Sequence, residues 1–381
     1  MIASGLVEKI GNAGGRIRQR KRNADGTFDE QGVSAPLADH RAGFDLIERV
    51  NEKDPLLRTE AGFLGMGHRV VHGGEWFREP ALINDEVISI IRSLVPLAPL
   101  HNPSNILGIE IIRERFPRVP QVAVFDTAFH HTLPPHAYRY ALPNELYEKH
   151  RVRKYGFHGS SYGYVTKEVA KHLGKPLSEV NLIILHLGNG ASAAAIHGGR
   201  SIDTSLGMTP LEGLVMGTRC GDIDPSIAFY LMRQTGMKPE DVENVLNRES
   251  GLKGICGISD MREILDRFAK GDEKAELAIE MFCYRIRKYI GAYHAVLGRL
   301  DAVVFTGGIG ENASVIRQRV CEGLKHIGIG ADTGKNATAR DSVVEIQQDG
   351  LAVKVLVVHT NEEREIALQT ISTIEKNRIR S

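Results

Sequence analysis

Short, uninterrupted apolar runs alternate along this chain with amphipathic stretches, and that alternation predicts an α/β sheet flanked by helices. Pro120–Phe125, Asn181–Leu187, Ala302–Thr306 and Val353–Val358 read as buried strands. The first three run into polar or glycine-rich turns, the strand ends at which such sheets gather ligands. The longest helix is expected over Glu276–Leu300. Its Ile279, Phe282, Ile286, Ile290, Tyr293 and Leu297 recur at three- or four-residue steps. A face that broad suits a central helix or a dimer interface. Arg16–Arg22 (Arg-Ile-Arg-Gln-Arg-Lys-Arg) reads as an edge strand blunted by charge.

Composition narrows the class. At 381 residues the chain exceeds the usual size of one core, so two domains are expected. A net charge of +1 gives no reason to expect nucleic acid or an anionic membrane as partner, which also disfavours a nucleic-acid reading of Arg16–Arg22. No apolar run is long enough to span a bilayer, and Glu8 interrupts the place a signal peptide would keep apolar. Cys220, Cys256, Cys283 and Cys321 lack Cys-x-x-Cys spacing and read as free thiols of a reducing cytoplasm. The 40 glycines are the one excess.

Many of those glycines fall in four turns between Tyr155 and Pro225. These are Gly-Phe-His-Gly-Ser-Ser-Tyr (156–162), His-Leu-Gly-Asn-Gly-Ala-Ser (186–192), Asp-Thr-Ser-Leu-Gly-Met-Thr-Pro-Leu-Glu-Gly (203–213) and Gly-Thr-Arg-Cys-Gly-Asp-Ile-Asp-Pro (217–225). Glycine lets backbone approach an anion, and His, Asn and Arg donate to it, so the stretch suggests a nucleotide with a small anionic co-substrate. His158 sits in a tight turn, a poor place for a core side chain, where an imidazole donates to a transferring phosphoryl group. His186 is either a phosphate contact or a satisfied histidine at a strand end. Arg219 is either a ligand group or a structural arginine neutralised by Asp222 and Asp224.

Outside that stretch, strand alternation puts Arg69 and Val71 on one face, a charge and a methyl surface suited to a small carboxylate. A surface salt bridge explains the segment equally well. Asp126, just past a buried strand, holds a metal or orients a proton acceptor, or else caps the next helix. Phe129-His130-His131 lacks the i, i+4 spacing of a helical zinc site, and zinc is not expected. Gly307-Gly308-Ile309-Gly310-Glu311-Asn312 suits a ribose and adenine. Thr360-Asn361-Glu362-Glu363 offers hard oxygen ligands for magnesium, or a helix cap.

Taken together, these segments resemble the acetate kinase family of short-chain carboxylate kinases, from about Ser4 to about Ala367. The resemblance implies a two-domain α/β fold of the actin-like, sugar-kinase-like (ribonuclease H-like) superfamily with an active-site cleft between domains. Residues 1–130 with 365–381 form one domain; 131–364 form the nucleotide-binding and dimerisation domain. The implied reaction is reversible phosphoryl transfer from ATP to acetate, giving acetyl phosphate and ADP, in a cytoplasmic homodimer using Mg2+, with Mn2+ as an alternative. It implies that Arg69 and Arg219 bind carboxylate and phosphoryl, His158 stabilises the transition state, and Asp126 is the catalytic carboxylate. Val71, Leu100, Phe157 and Pro210 would line the methyl pocket. His186, Leu187, Gly188, Asn189 and Gly190 would contact ATP phosphates, Asn189 closest to the transfer. Asp260, Met261, Arg262, Gly308, Ile309, Gly310, Glu311 and Asn312 would hold the nucleoside, and Glu362 would ligate the metal.

Three departures stand out. Tyr162 replaces the family's second histidine, and Cys220 replaces a serine. The family's opening hairpin, with its Asn-x-Gly-Ser-Ser-Ser-x-Lys turn, has no counterpart, and Ser4–Glu8 resembles the sequence that follows it. From that departure the chain as it stands is expected to be weakly active or inactive and aggregation-prone. Alternatives are a propionate or butyrate kinase, or a non-catalytic nucleotide-binding remnant.

Overall fold

The computed structural model describes residues 3–11, 14–23, 25–51 and 60–380, which fall into two compact units. The first comprises Met1–Val70, Pro80–Val124 and Ala367–Ser381; the second comprises Val71–Glu79 and Phe125–Ile366.

In the first unit, β1 (Ala3–Glu8), β2 (Arg16–Arg22) and β3 (Phe28–Ser34) form an antiparallel sheet with β2 in the middle. The expected edge strand is therefore a central one. Ile17 turns into a small core with Leu37 and Leu46. The arginines face out and pair across strands, Arg16 and Arg18 with Glu8, and Arg20 with Glu30. Their charge is met by neighbouring strands, so it does not mark an edge. A second sheet orders β4 (Met66–Val70), β6 (Gln121–Phe125) and β5 (Ala81–Leu82) as β4-β6-β5. Pro120 stays outside β6, lacking an N–H, but its carbonyl accepts from Met66 N at 2.9 Å.

The second unit is built on six strands ordered β11-β12-β10-β7-β8-β9. These are β7 (Asn181–Leu187), β8 (Ala191–His197), β9 (Arg200–Thr204), β10 (Ala302–Thr306), β11 (Val343–Glu345) and β12 (Lys354–Val358). β10 runs parallel to both β7 and β12, while the outer pairs are antiparallel. The apolar runs are buried because both faces are covered. Ile183, Leu185, Val303 and Phe305 join the long helix's core, while Leu182, Ile184, Val304 and Leu356 meet Tyr162, Val165 and Val169 of the helix Gly159–His172.

The long helix runs Glu273–Leu297, three residues earlier than the periodicity suggests. Asp272 caps it, accepting from Lys274 N and Ala275 N, and Gly298 ends it at φ 69°. All six residues of its apolar stripe are buried, so that face belongs to the core. Among the described residues, no helix is long and apolar enough to cross a membrane. All four cysteines are free thiols.

Candidate active site

Three parallel strands of the second unit end side by side, and the predicted nucleotide turns follow them. His186 pairs in register with Thr306, and β12 lies on the far side of β10. The turn His186–Gly190 closes with Gly188 N donating to Gly190 O at 3.1 Å. Gly307 (φ 76°) begins the helix Gly307–Asn312, and its Cα lies so near Leu187 that a Cβ would be 2.8 Å from that carbonyl oxygen. Glu311 ties two strand ends together: its Oε1 accepts from Gly307 N and Thr360 N, both at 3.0 Å. Buried Arg317 props the same helix, donating from Nη1 to the carbonyls of Gly310 (2.9 Å) and Glu311 (2.8 Å), while Asn336 holds its other nitrogens. Desolvation pushes its pKa down to about 10.

His158 occupies the left-handed region, φ 60° and ψ 27°, which a non-glycine residue adopts only when its surroundings enforce it. Two contacts do so. Gly159 N donates to the carbonyl of buried Asp126 at 3.0 Å, so close that a Cβ on Gly159 would collide with it. His130 Nε2 donates to Phe157 O at 2.9 Å, and its Nδ1 accepts from Ser201 Oγ at 2.8 Å. His130 is thus a buried prop for the turn, its pKa pushed down to about 4 by desolvation. The same fate befalls His72, buried against Tyr155 and Phe157.

The imidazole of His158 stacks on His186 with centroids 4.3 Å apart. Its Nδ1 meets Ser192 Oγ at 2.8 Å, and Ser192 in turn meets the Tyr162 hydroxyl at 2.6 Å. His158 Nε2 and Arg219 Nη1 converge on Gly190, each 3.6 Å from where a Cβ would stand. His186 Nδ1 contacts Ser161 Oγ, which also contacts Thr360 Oγ1, both at 2.8 Å.

Arg219 is half-buried, and desolvation lowers its pKa. Among the described residues no carboxylate pairs with it; Nη1 reaches only Pro210 O at 3.3 Å and Met216 Sδ. Asp222, the expected neutralising partner, is engaged elsewhere. It accepts from Gly213 N (2.7 Å) and Tyr289 OH (2.8 Å), and Arg285 donates to Gly213 O and Asp222 O. Asp224 caps the following turn through Ser226 N. Asn189 packs on the same loop, its carbonyl accepting from Gly217 N at 3.0 Å. Below Pro210, Glu212 accepts from Tyr140 OH and, at 2.8 Å, from Lys154 Nζ, fixing the 203–213 turn.

The second unit therefore brings together Asp126, Phe157, His158, His186–Gly190, Pro210 and Arg219. Phe157 is buried, and Val71 packs on the core of this unit just past the end of β4. β4 stops at Val70, so the expected strand alternation does not reach Val71. Arg69 and Leu100 belong to the first unit and are exposed. Asp260 caps the helix Met261–Phe268 and pairs with exposed Arg262 at 2.6 Å, which holds its carboxyl down to about 2. Glu362 opens the helix Glu362–Arg380, capped by Asn361, which accepts from Arg364 N. No group of three or more His, Cys, Asp or Glu suited to a metal occurs among the described residues. Ser192, Tyr289, Arg285, Glu212 and His130 escaped sequence reasoning as site supports, because their partners are remote in the chain.

Glycine turns at parallel strand ends, an arginine with no carboxylate partner among the described residues and an adjacent imidazole define an α/β protein whose site suits an anion. Comparison with known proteins agrees. The Acetokinase family model matches residues 1–368. An acetate kinase of Syntrophobacter fumaroxidans is 55% identical over 376 residues, covering 98% of this chain and 92% of that protein. Among solved structures, the acetate kinase of Porphyromonas gingivalis has a TM-score of 0.89 at 41% identity, covering 98% of this chain and 93% of its own. A propionate kinase from Francisella tularensis has a TM-score of 0.90 at 42% identity, covering 97% and 93%. The chain belongs to the acetokinase family.

Proposed function

We propose that this chain transfers the γ-phosphoryl group of ATP reversibly to acetate, forming acetyl phosphate and ADP. The observation that carries the reading is Arg219, a half-buried guanidinium with no carboxylate partner among the described residues, converging with His158 on Gly190. Desolvating a charge costs free energy, and an anionic ligand recovers it. Phosphoryl transfer asks for this equipment, since it needs position and charge neutralisation more than covalent help.

An acetate oxygen attacks the γ-phosphorus while the bond to the bridging oxygen of ADP breaks. Acetate is already ionised near neutrality, so the step needs no general base. Asp126, buried beneath the His158 turn, acts on orientation. His158 and Arg219 donate to the phosphoryl oxygens, and Asn189 with the glycine turn 186–190 cradles the ATP phosphates. Asp260–Arg262 and Gly308–Asn312 hold the nucleoside. Val71, Phe157 and Pro210 contact the methyl group; the parts of Arg69 in carboxylate binding and Leu100 in methyl contact rest on family resemblance.

Glu362, a half-buried carboxylate in the first turn of its helix, would hold Mg2+, an ion commonly bound by one or two carboxylates with water and substrate phosphates completing its shell. Bound there, the ion would supply neutralisation of phosphate charge. The exposed side of the long helix presents Leu277, Met281 and Tyr284 at helical spacing, and supports a homodimer. Free thiols support a cytoplasmic setting.

The test is trapping of acyl phosphate as hydroxamate from acetate, ATP and Mg2+, with propionate and butyrate run in parallel. Similarity to a propionate kinase makes propionate the competing substrate. Acetate preferred in kcat/KM is expected; no acyl phosphate from any of the three acids overturns the reading.

A further inference from the structure

We infer that Tyr162 and Ser192 are positioning residues that hold His158 as the neutral imidazole with its proton on Nε2, aimed at the point where Arg219 also arrives. The inference deepens the phosphoryl-transfer reading and rests on it for its functional meaning. Its chemical content stands on a directed chain of hydrogen bonds.

The chain starts in the core. Tyr162 is fully buried, so its hydroxyl must find protein partners. Among the described residues the one hydrogen-bond partner of that hydroxyl is Ser192 Oγ, at 2.6 Å. With no other acceptor among the described residues, the buried phenolic proton points to that oxygen. Ser192 is also fully buried. Having accepted from Tyr162, it spends its single proton on His158 Nδ1, at 2.8 Å. A neutral imidazole whose Nδ1 accepts carries its hydrogen on Nε2. That nitrogen lies 3.6 Å from the Cβ position of Gly190, as does Arg219 Nη1.

The reverse order fails on donors. If Nδ1 donated to Ser192, the serine would donate to Tyr162. The phenolic proton would then be left without an acceptor among the described residues, in a dry core. The imidazolium requires that same reversal. An uncharged N–H donor beside Arg219 adds a hydrogen bond to the phosphoryl oxygens without setting a second cation against the guanidinium. Tyr162 thus acts on the reaction through Ser192 and His158, never touching substrate.

The experiment is a long-range 1H–15N correlation spectrum of the full chain labelled at histidine, at about pH 7.5, near the range where an imidazole titrates. His158→Asn assigns the signal. The wild type is expected to show His158 protonated at Nε2 only. In Tyr162→Phe, Ser192 is free to rotate, and both tautomers are expected. The kcat should fall about threefold to tenfold with KM for acetate and ATP unchanged, since the loss falls on a transition-state donor. Ser192→Ala, checked for a wild-type melting midpoint, should give the same tautomer mixture. An Nδ1–H or imidazolium signal in the wild type overturns the inference, as does an unmixed Nε2–H signal in both variants. The spectrum does not depend on turnover. The expected tautomer without acyl phosphate formation sinks the functional reading alone, and turnover with the opposite tautomer sinks this inference alone.

Discussion

Tyr289, on the long helix Glu273–Leu297, donates to Oδ2 of Asp222 at 2.8 Å, at the neck of the loop that carries Arg219. Asp222 and Gly213 close that neck with reciprocal bonds of 2.7 and 2.9 Å, and Arg285 adds donors to both carbonyls. Rigid core thus reaches the arginine through one carboxylate. Asp222→Ala should cost about 2 kcal/mol, because it strands several part-buried donors. It should also raise KM for acetate. Urea unfolding and steady-state kinetics check both, and a wild-type KM would separate the neck from the site.

Arg219→Ala is expected to lower kcat by roughly three orders of magnitude, the scale of losing an oxyanion-type donor. The melting midpoint should stay level or rise, since the guanidinium is desolvated and has no carboxylate partner among the described residues. A large drop in midpoint would show Arg219 to be a structural residue.

Val71→Ala removes two methyl groups from a side chain packed on the core of the second unit. The ratio of kcat/KM for propionate over acetate should rise several-fold, in line with about 1–3 kcal/mol per methylene in an apolar pocket. An unchanged ratio would remove Val71 from the pocket wall.

Acid should destabilise the fold through two histidines. Burial pushes His72 and His130 down to about 4, against 6.5 for the free side chain. Between these values the unfolded chain binds more protons, so stability falls as pH drops through that window. Above 6.5 the contribution is fully present and flat. Each group supplies a slope of up to about 1.4 kcal/mol per pH unit. Urea midpoints across the window should show it, and His130→Gln should flatten the slope by one proton's worth.

Met281→Asp with Tyr284→Asp on the exposed side of the long helix should shift sedimentation from dimer to monomer, since a buried unpaired charge opposes association. A wild-type chain that sediments as a monomer at micromolar concentration would refute the homodimer.

Much of the frame was legible because it is local. β7 and β10 are runs of apolar residues covered on both faces, so their bounds were read directly from the chain. The long helix was found by its stripe, while its start was missed because Asp272 as cap outweighs periodicity. Arg16–Arg22 was misread as an edge because the carboxylates that meet it, Glu8 and Glu30, come from other strands. Glycine turns were legible as places of close backbone approach, as at Gly159 and Gly307, where a Cβ would crowd a carbonyl oxygen.

By itself, the sequence determined the α/β class, the family, and which residue types could meet an anion, for these depend on local patterning and motif spacing. Tertiary structure decided which of those residues are spoken for. Asp222 turned to Tyr289 and Gly213, leaving Arg219 without a carboxylate among the described residues. His130 became a prop for a strained turn, and Tyr162 the start of a proton-ordering chain to His158. A hydrogen bond has a direction and one partner per proton. Which partner wins depends on side chains tens of residues apart meeting in the fold.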